Sequence, residues 1–278
     1  MQSEAFVFIV CGDRHASRLK IALRYLRHFS RKEIWVVRSR TKMGFACDRI
    51  IDAEVPVEFD DGQAARLLKA SLHRVLPWSH SRYCYLDNDV IAVNRSADEI
   101  FGHFSAPVSF APDHSTLDQF SQCAVNCGCE NWGCDHLREA IRQMFEVGIA
   151  LPQWRQWNGG VFIFERESRE FMDFWHAGLL AIFKNPCWKA RDQGVLAATV
   201  WKFGLQDHPV LPRQFNQIVD ALKNAPATAR GDYLPKSDES YSLGPSPGLP
   251  RPSLLHFIND GVGKRGWRNW DEVERLLR

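Results

Sequence analysis

The chain has 278 residues, of which 45% are hydrophobic and 24% charged, with a formal net charge of +2. This fits a globular protein with one large core, and so small a charge gives no footing for a nucleic-acid binder. No run of about eighteen apolar residues exists to cross a membrane as a helix. The short apolar run at residues 6–10 follows Glu4 rather than basic residues, so the chain reads as cytoplasmic with no signal peptide.

Residues 5–11 predict a strand, followed by the loop Gly12-Asp13-Arg14-His15 and by Leu19, Leu23, Leu26 and Phe29 at helical spacing. Between Arg14 and Lys42 stand ten Arg or Lys residues and one acid, Glu33. That run reads as the solvated face of a helix or as a surface for peripheral contact with an anionic membrane. Residues 34–37 predict a second strand, and residues 64–76 a helix stopped by Pro77. Apolar runs at 83–86 and 108–110 add further strands. Residues 113–157 read as an insertion with four cysteines, a helix over 135–145, and Trp154 and Trp157. Beyond it come a strand at 161–164, a long helix over 167–184 and a helix opening near Asp192. Residues 224–252, rich in Pro, Gly and Ser, read as a loop, and the chain closes with a strand at 254–257 and a helix near 271–277. Such alternation predicts an α/β fold whose mixed, mostly parallel sheet is flanked by helices, built as a single domain over 1–278.

Asp87-Asn88-Asp89 directly follows the apolar run at 83–86. Side chains two apart on extended backbone leave on one face, and two converging carboxylates repel unless a proton or cation lies between them. Oxygen ligands at a strand exit suit a hard divalent ion with open positions for a phosphate-bearing substrate. The same tripeptide is also ordinary turn chemistry. A second cluster is Cys123, Cys127, Cys129 and Cys134 with His136 close behind, dense enough in soft ligands for a structural zinc ion. Its spacing matches no C-x-x-C pair, so free thiols or a disulfide stand beside zinc as readings.

Four ordered segments resemble nucleotide-sugar glycosyltransferases of the GT-A type, and most resemble family 8, the glycogenin-like and galactosyltransferase-like enzymes. They are Tyr85-Leu86-Asp87-Asn88-Asp89; Trp157-Asn158-Gly159-Gly160-Val161-Phe162; Asp192-Gln193-Gly194-Val195-Leu196 with Leu211-Pro212 and Phe215-Asn216; and His256-Phe257 with Gly261, Lys264 and Trp267. The chain departs from that family where Lys264 stands eight residues after His256 and Arg265-Gly266 precedes Trp267.

The resemblance implies a single Rossmann-like GT-A domain and a metal-dependent transferase that moves a sugar from a nucleoside diphosphate, UDP above all, with retention of configuration. It implies Asp87, Asp89 and His256 as metal ligands, for Mn2+ or else Mg2+, with Asp192 and Gln193 as catalytic residues. Asn158, Gly159, Gly160, Lys264 and Trp267 would contact the donor, and Asp13 the nucleotide. The acceptor would be a carbohydrate, glycolipid or protein. Two other readings remain open: a sugar-nucleotide nucleotidyltransferase, and a non-catalytic zinc-binding scaffold on a degenerate transferase fold.

Overall fold

A computed structural model describes residues 3–129, 133–220, 225–226, 251–258, 262–263 and 270–278. Its centre is a six-stranded sheet in the order β3-β2-β1-β4-β7-β6. The strands are β1 (Glu4–Cys11), β2 (Glu33–Ser39), β3 (Arg49–Asp52), β4 (Arg82–Leu86), β6 (Val108–Thr116) and β7 (Arg155–Phe164). β1, β2, β3 and β4 run parallel, whereas β7 runs antiparallel to both of its neighbours, β4 and β6. A second, four-stranded sheet has the order β5-β10-β8-β9, with β5 (Val90–Ala92), β8 (Gln217–Asp220), β9 (Ala225–Pro226) and β10 (Leu254–Ile258).

The near-continuous apolar run of β1 is explained by helices and strands covering both faces of the sheet. Alternate residues serve opposite sides. Ala5, Val7, Ile9 and Cys11 join a core with Leu67 and Leu68 of α2 (Asp61–Ala70), Phe171 and Trp175 of α6 (Arg169–Phe183), and Val195 and Leu196 of α7 (Asp192–Lys202). Phe6, Phe8 and Val10 join the other core with Leu19, Leu23 and Leu26 of α1 (Ala16–Phe29) and with Ile91, Leu255 and Phe257 of the second sheet. Arg14, Lys20, Arg24 and Arg27 are exposed around α1, the solvated helix face that the basic run suggested. No helix among the described residues is long and apolar enough to cross a membrane.

Several boundaries differ from those the periodicity predicts. The helix expected over 64–76 begins three residues earlier, where Asp60 caps the Gln63 N–H and Gln63 returns the bond in a capping box. It is interrupted at Ser71, whose hydroxyl bonds the Leu67 carbonyl at 2.6 Å and contacts His176 Nδ1 at 2.6 Å; the four-residue α3 (Leu72–Val75) follows. The strands expected at 108–110 and 161–164 run on through polar residues as β6 to Thr116 and β7 from Arg155. Residues 117–154 between them hold α4 (Leu117–Ala124) and α5 (His136–Phe145). Leu117, Ala124, Leu137 and Ile141 are fully buried in the same core as Trp157. Trp154 and Trp157 are buried, with Trp157 stacked on Phe110 at 5.2 Å. The tail helix is α8 (Trp270–Arg275), whose Trp270 ring packs against Tyr25 and Phe257.

The seam between α6 and α7 gives a stability test. A Cβ on Gly178 would strike the Val195 side chain and lie 3.2 Å from Phe145. Helix propensity alone would make Gly178→Ala stabilising by about 1 kcal/mol. Overpacking of about 1–3 kcal/mol should reverse that sign, read as a lower urea midpoint at unchanged slope. A raised midpoint would show that the seam is looser than described.

Candidate active site

The convergence of distant residues follows from one strand pairing. Asp87 leaves β4, and its N–H donates to the Gly160 carbonyl of β7 at 2.8 Å. The chain then turns, with Val90 N–H donating to Asp87 O at 3.0 Å, so the acidic pair lies in a turn rather than on extended backbone. It enters β5 at Val90, which pairs with His256 of β10. The Phe257 N–H donates to the Asp89 carbonyl at 2.9 Å, fixing β10 beside the acidic turn. One ligand atom each from Asp87, Asp89 and His256 thus lies within 4.8 Å of the others.

His256 is held from behind. Its Nδ1 lies 2.9 Å from Asn216 Oδ1, so that nitrogen carries the proton and Nε2 faces Asp89 Oδ1 at 3.4 Å. Burial alone would depress the imidazole pKa, but Asp89, and then Asp87 and Asp113, outweigh it and hold it above its ordinary value. Two carboxylates and an imidazole facing one another call for a proton or a cation. The mixed oxygen and nitrogen donors suit a divalent ion such as manganese. The space is kept by glycine: a Cβ on Gly160 would sit 2.5 Å from His256 Cε1 and 2.9 Å from Asp87 Oδ2. On both counts these residues fit a divalent cation.

Next to this group is an ion-paired cluster. Lys69, on α2, is buried and places its Nζ 3.0 Å from Asp87 Oδ1 and 3.0 Å from Asp192 Oδ2. Burial would lower the lysine pKa, but Asp192 and Asp87 more than offset it and keep the ammonium charged. Asp192 is the first residue of α7, and the preceding Arg191 makes no side-chain cap. Its carboxylate faces Lys69, and Arg66 at 3.8 Å. Tyr85 donates its hydroxyl to Asp87 Oδ1 at 2.5 Å.

Asp113 organises the opposite wall. The register between β6 and β7 shifts after Pro112, and such an irregularity re-aims side chains. Asp113 Oδ2 accepts from Asn158 Nδ2 at 2.7 Å and from Gln193 Nε2 at 2.9 Å, while Oδ1 accepts from the Ser115 hydroxyl at 2.7 Å. Burial would raise its pKa, yet His114 and these donors hold the carboxyl well below its ordinary value. Asn158 Oδ1 accepts from the Gly160 N–H at 2.9 Å. A Cβ on Gly159 would come within 3.1 Å of Asp192 Oδ2.

Asp87, Asp89, His256, Asn158, Gly159, Gly160, Asp192 and Gln193 thus form one connected neighbourhood. Asp13 is exposed at the end of β1 and accepts a hydrogen bond from Thr41. Lys264 and Trp267 lie outside the described residues, as does most of the loop at 224–252. Cys127, Cys129, Cys134 and His136 form a second group of converging ligand atoms, which Cys123 does not join. Reading the sequence missed Lys69, Arg66, Tyr85 and Asp113, and gave Asn216 no role. A lysine between Leu68 and Ala70 on a buried helix face was the one available signal.

No family model and no curated protein sequence matches the chain. Solved structures do. The bifunctional glycosyltransferase WbbM aligns with a TM-score of 0.59 at 12% identity, over 99% of this chain and 50% of that one. This chain therefore spans half the length of WbbM. Mouse xyloside xylosyltransferase 1 aligns with a TM-score of 0.53 at 12% identity, over 94% of this chain and 99% of that one. The galactosyltransferase LgtC, solved with donor and acceptor sugar analogues, gives 0.56 at 13% identity over 98% and 95%. Fold alone does not carry function, and at such identities the likeness establishes the architecture: the chain has the GT-A-type glycosyltransferase fold.

Proposed function

We propose that the protein is a metal-dependent, retaining glycosyltransferase that uses a nucleoside-diphosphate sugar, with UDP as the nucleotide. The single observation that carries this is the convergence of Asp87, Asp89 and His256 beside Asp192 and Gln193, at the carboxyl end of β4 in a glycosyltransferase fold. That edge of an open α/β sheet is where ligands bind.

Asp87, Asp89 and His256 would hold a divalent cation, Mn2+ by donor chemistry, which when bound neutralises the diphosphate as it leaves. Asn216 fixes the imidazole so that Nε2 is the ligating nitrogen. Lys69 keeps Asp192 ionised and fixed, and the remaining lone pairs of that carboxylate would accept hydrogen bonds from sugar hydroxyls. Asp113 locks the Gln193 amide nitrogen and leaves its carbonyl oxygen to face developing positive charge at the anomeric carbon. Gly159 and Gly160 admit the donor close to the backbone. With Asp192 engaged by two cations, we assign retention to front-face attack. The bond from anomeric carbon to phosphate oxygen breaks, the acceptor oxygen bonds on the same face, and the acceptor proton passes to the departing phosphate oxygen. Asp13 at the end of β1 would meet the nucleotide, and Lys264 and Trp267 the diphosphate and donor sugar.

Calorimetric titration with UDP should show binding that needs manganese and disappears on chelation. Asp89→Ala should lower metal-dependent hydrolysis of the donor by at least about 100-fold. Equal UDP binding with and without metal, or full hydrolysis by the variant, would refute the assignment.

The state of His256 sets a pH dependence. A cation must displace the imidazole proton, so manganese affinity should rise as pH increases through the elevated pKa and fall on acidification. Without metal the sign reverses: a raised pKa stabilises the fold at low pH, and that contribution is lost as pH rises through the folded value. Manganese titrations across neutral pH test the first statement, and thermal melts of chelated protein the second. A flat affinity profile would remove His256 from the ligand set. Gly160→Ala should weaken manganese binding at least about tenfold without changing the circular dichroism; undiminished binding would mean that the glycine keeps no space for the ion.

A further inference from the structure

Cys127, Cys129 and Cys134, which lie between α4 and the start of α5, gather at one point. Cys127 Sγ lies 3.6 Å from Cys134 Sγ, and Cys129 Sγ lies 3.4 Å from His136 Nδ1. All of these ligand atoms lie within 4.8 Å of one another. A tetrahedral zinc ion with ordinary bond lengths separates two sulfurs by roughly 3.8 Å and a sulfur and nitrogen by roughly 3.6 Å. The Cys127–Cys134 and Cys129–His136 separations lie within about 0.2 Å of those values. Three of the ligands are half-buried and His136 is exposed, which leaves an entry path from solvent.

The surroundings are those of a supported site. Ser121 Oγ on α4 lies 3.1 Å from Cys134 Sγ and accepts the Leu137 N–H of α5 at 2.9 Å. The Cys134 thiol donates to that hydroxyl; once Cys134 is a thiolate the hydroxyl can turn its own proton to the sulfur while still accepting from Leu137. Gln122 Nε2 donates to the Cys129 carbonyl at 2.9 Å. The Cys134 N–H donates to the Asp118 carbonyl at 3.1 Å, and Asp118 pairs with Arg138 at 2.7 Å.

We propose that Cys127, Cys129, Cys134 and His136 bind a structural Zn2+ that clamps the connection between α4 and α5 and so braces the start of α7. On binding, the three thiol protons pass to solvent and no oxidation occurs. The brace reaches the active site through packing. A Cβ on Gly194, two residues after Asp192, would lie 3.1 Å from Leu137 of α5 and 3.3 Å from Ala124 of α4. The segment leading into α7 is strapped to α4 as well, with Lys189 N–H donating to the Ala124 carbonyl at 2.8 Å and Asn126 N–H to Cys187 O at 2.8 Å. The clamp stands independently of the reaction proposed above, since none of its ligands belongs to that site.

Elemental analysis of untagged full chain, purified under reducing conditions with zinc supplied, tests this. About one zinc per chain is expected in Asp89→Ala, whose other metal site is disabled, and in Cys123→Ser made in that background. Cys129→Ser and Cys134→Ser in the same background should each hold at least about tenfold less, and melt roughly 5 °C or more lower. Should those variants fail to fold, cobalt exchanged into the unaltered chain must give thiolate-to-cobalt charge transfer and tetrahedral d–d bands. The proposal is overturned if the zinc-supplied Asp89→Ala protein holds less than about a tenth of an equivalent, if Cys127 and Cys134 are found as a disulfide, or if the cobalt protein lacks sulfur ligation.

Discussion

Carboxylates buried at the end of a sheet persist only if each meets a cation or a set of donors, because desolvation otherwise favours the neutral acid. That requirement organises the centre of this molecule. Asp192 and Asp87 share Lys69, Asp113 is surrounded by Asn158, Gln193, Ser115 and His114, and Asp89 faces His256. Of these, the Asp87–Asp89–His256 group is the one in which two carboxylates and an imidazole bring their ligand atoms within 4.8 Å of one another. A divalent cation there would take the place of the imidazole proton that faces Asp89. The surrounding ion pairs and amides keep the neighbouring acids ionised and in place while it does so.

Supersecondary structure delivers the ligands. β4 and β7 carry Asp87 and the paired glycines as adjacent strands, and the short β5 follows Asp89 directly, recruiting β10 and with it His256. The second sheet thus serves mainly to bring a residue from late in the chain back to the lip of the first. α7 closes the remaining side, and its first turn supplies both Asp192 and Gln193. A helix with so many buried residues is oriented by whatever packs against it, which is why the α4–α5 pair and the thiols at its tip matter to the active site.

Much of this was legible in the residues. The apolar run before Asp87-Asn88-Asp89, the Asn-Gly-Gly entry to a strand, and the ordered motifs ending at His256 indicated both the layered fold and the residues that converge at the end of β4. Other parts were hidden for physical reasons. Lys69 looks like a solvated residue until its helix is packed and two carboxylates appear opposite. Asp113 interrupts the apolar pattern of β6, so periodicity ended the strand early, whereas a network of donors satisfies the acid where it lies. The two-residue spacing of the thiols, Cys127 with Cys129 and Cys134 with His136, fits no common zinc signature. Only the folded positions show the two pairs facing each other, Cys127 against Cys134 and Cys129 against His136.

The central claim is that one cation binds between Asp87, Asp89 and His256. Pulsed electron paramagnetic resonance of the manganese-loaded protein tests it most directly. The account predicts a nitrogen coupling from a single directly bound imidazole, which shifts when the histidines carry the heavier nitrogen isotope and vanishes in His256→Ala. A manganese signal with oxygen ligands alone, or an imidazole coupling that survives that substitution, would contradict it.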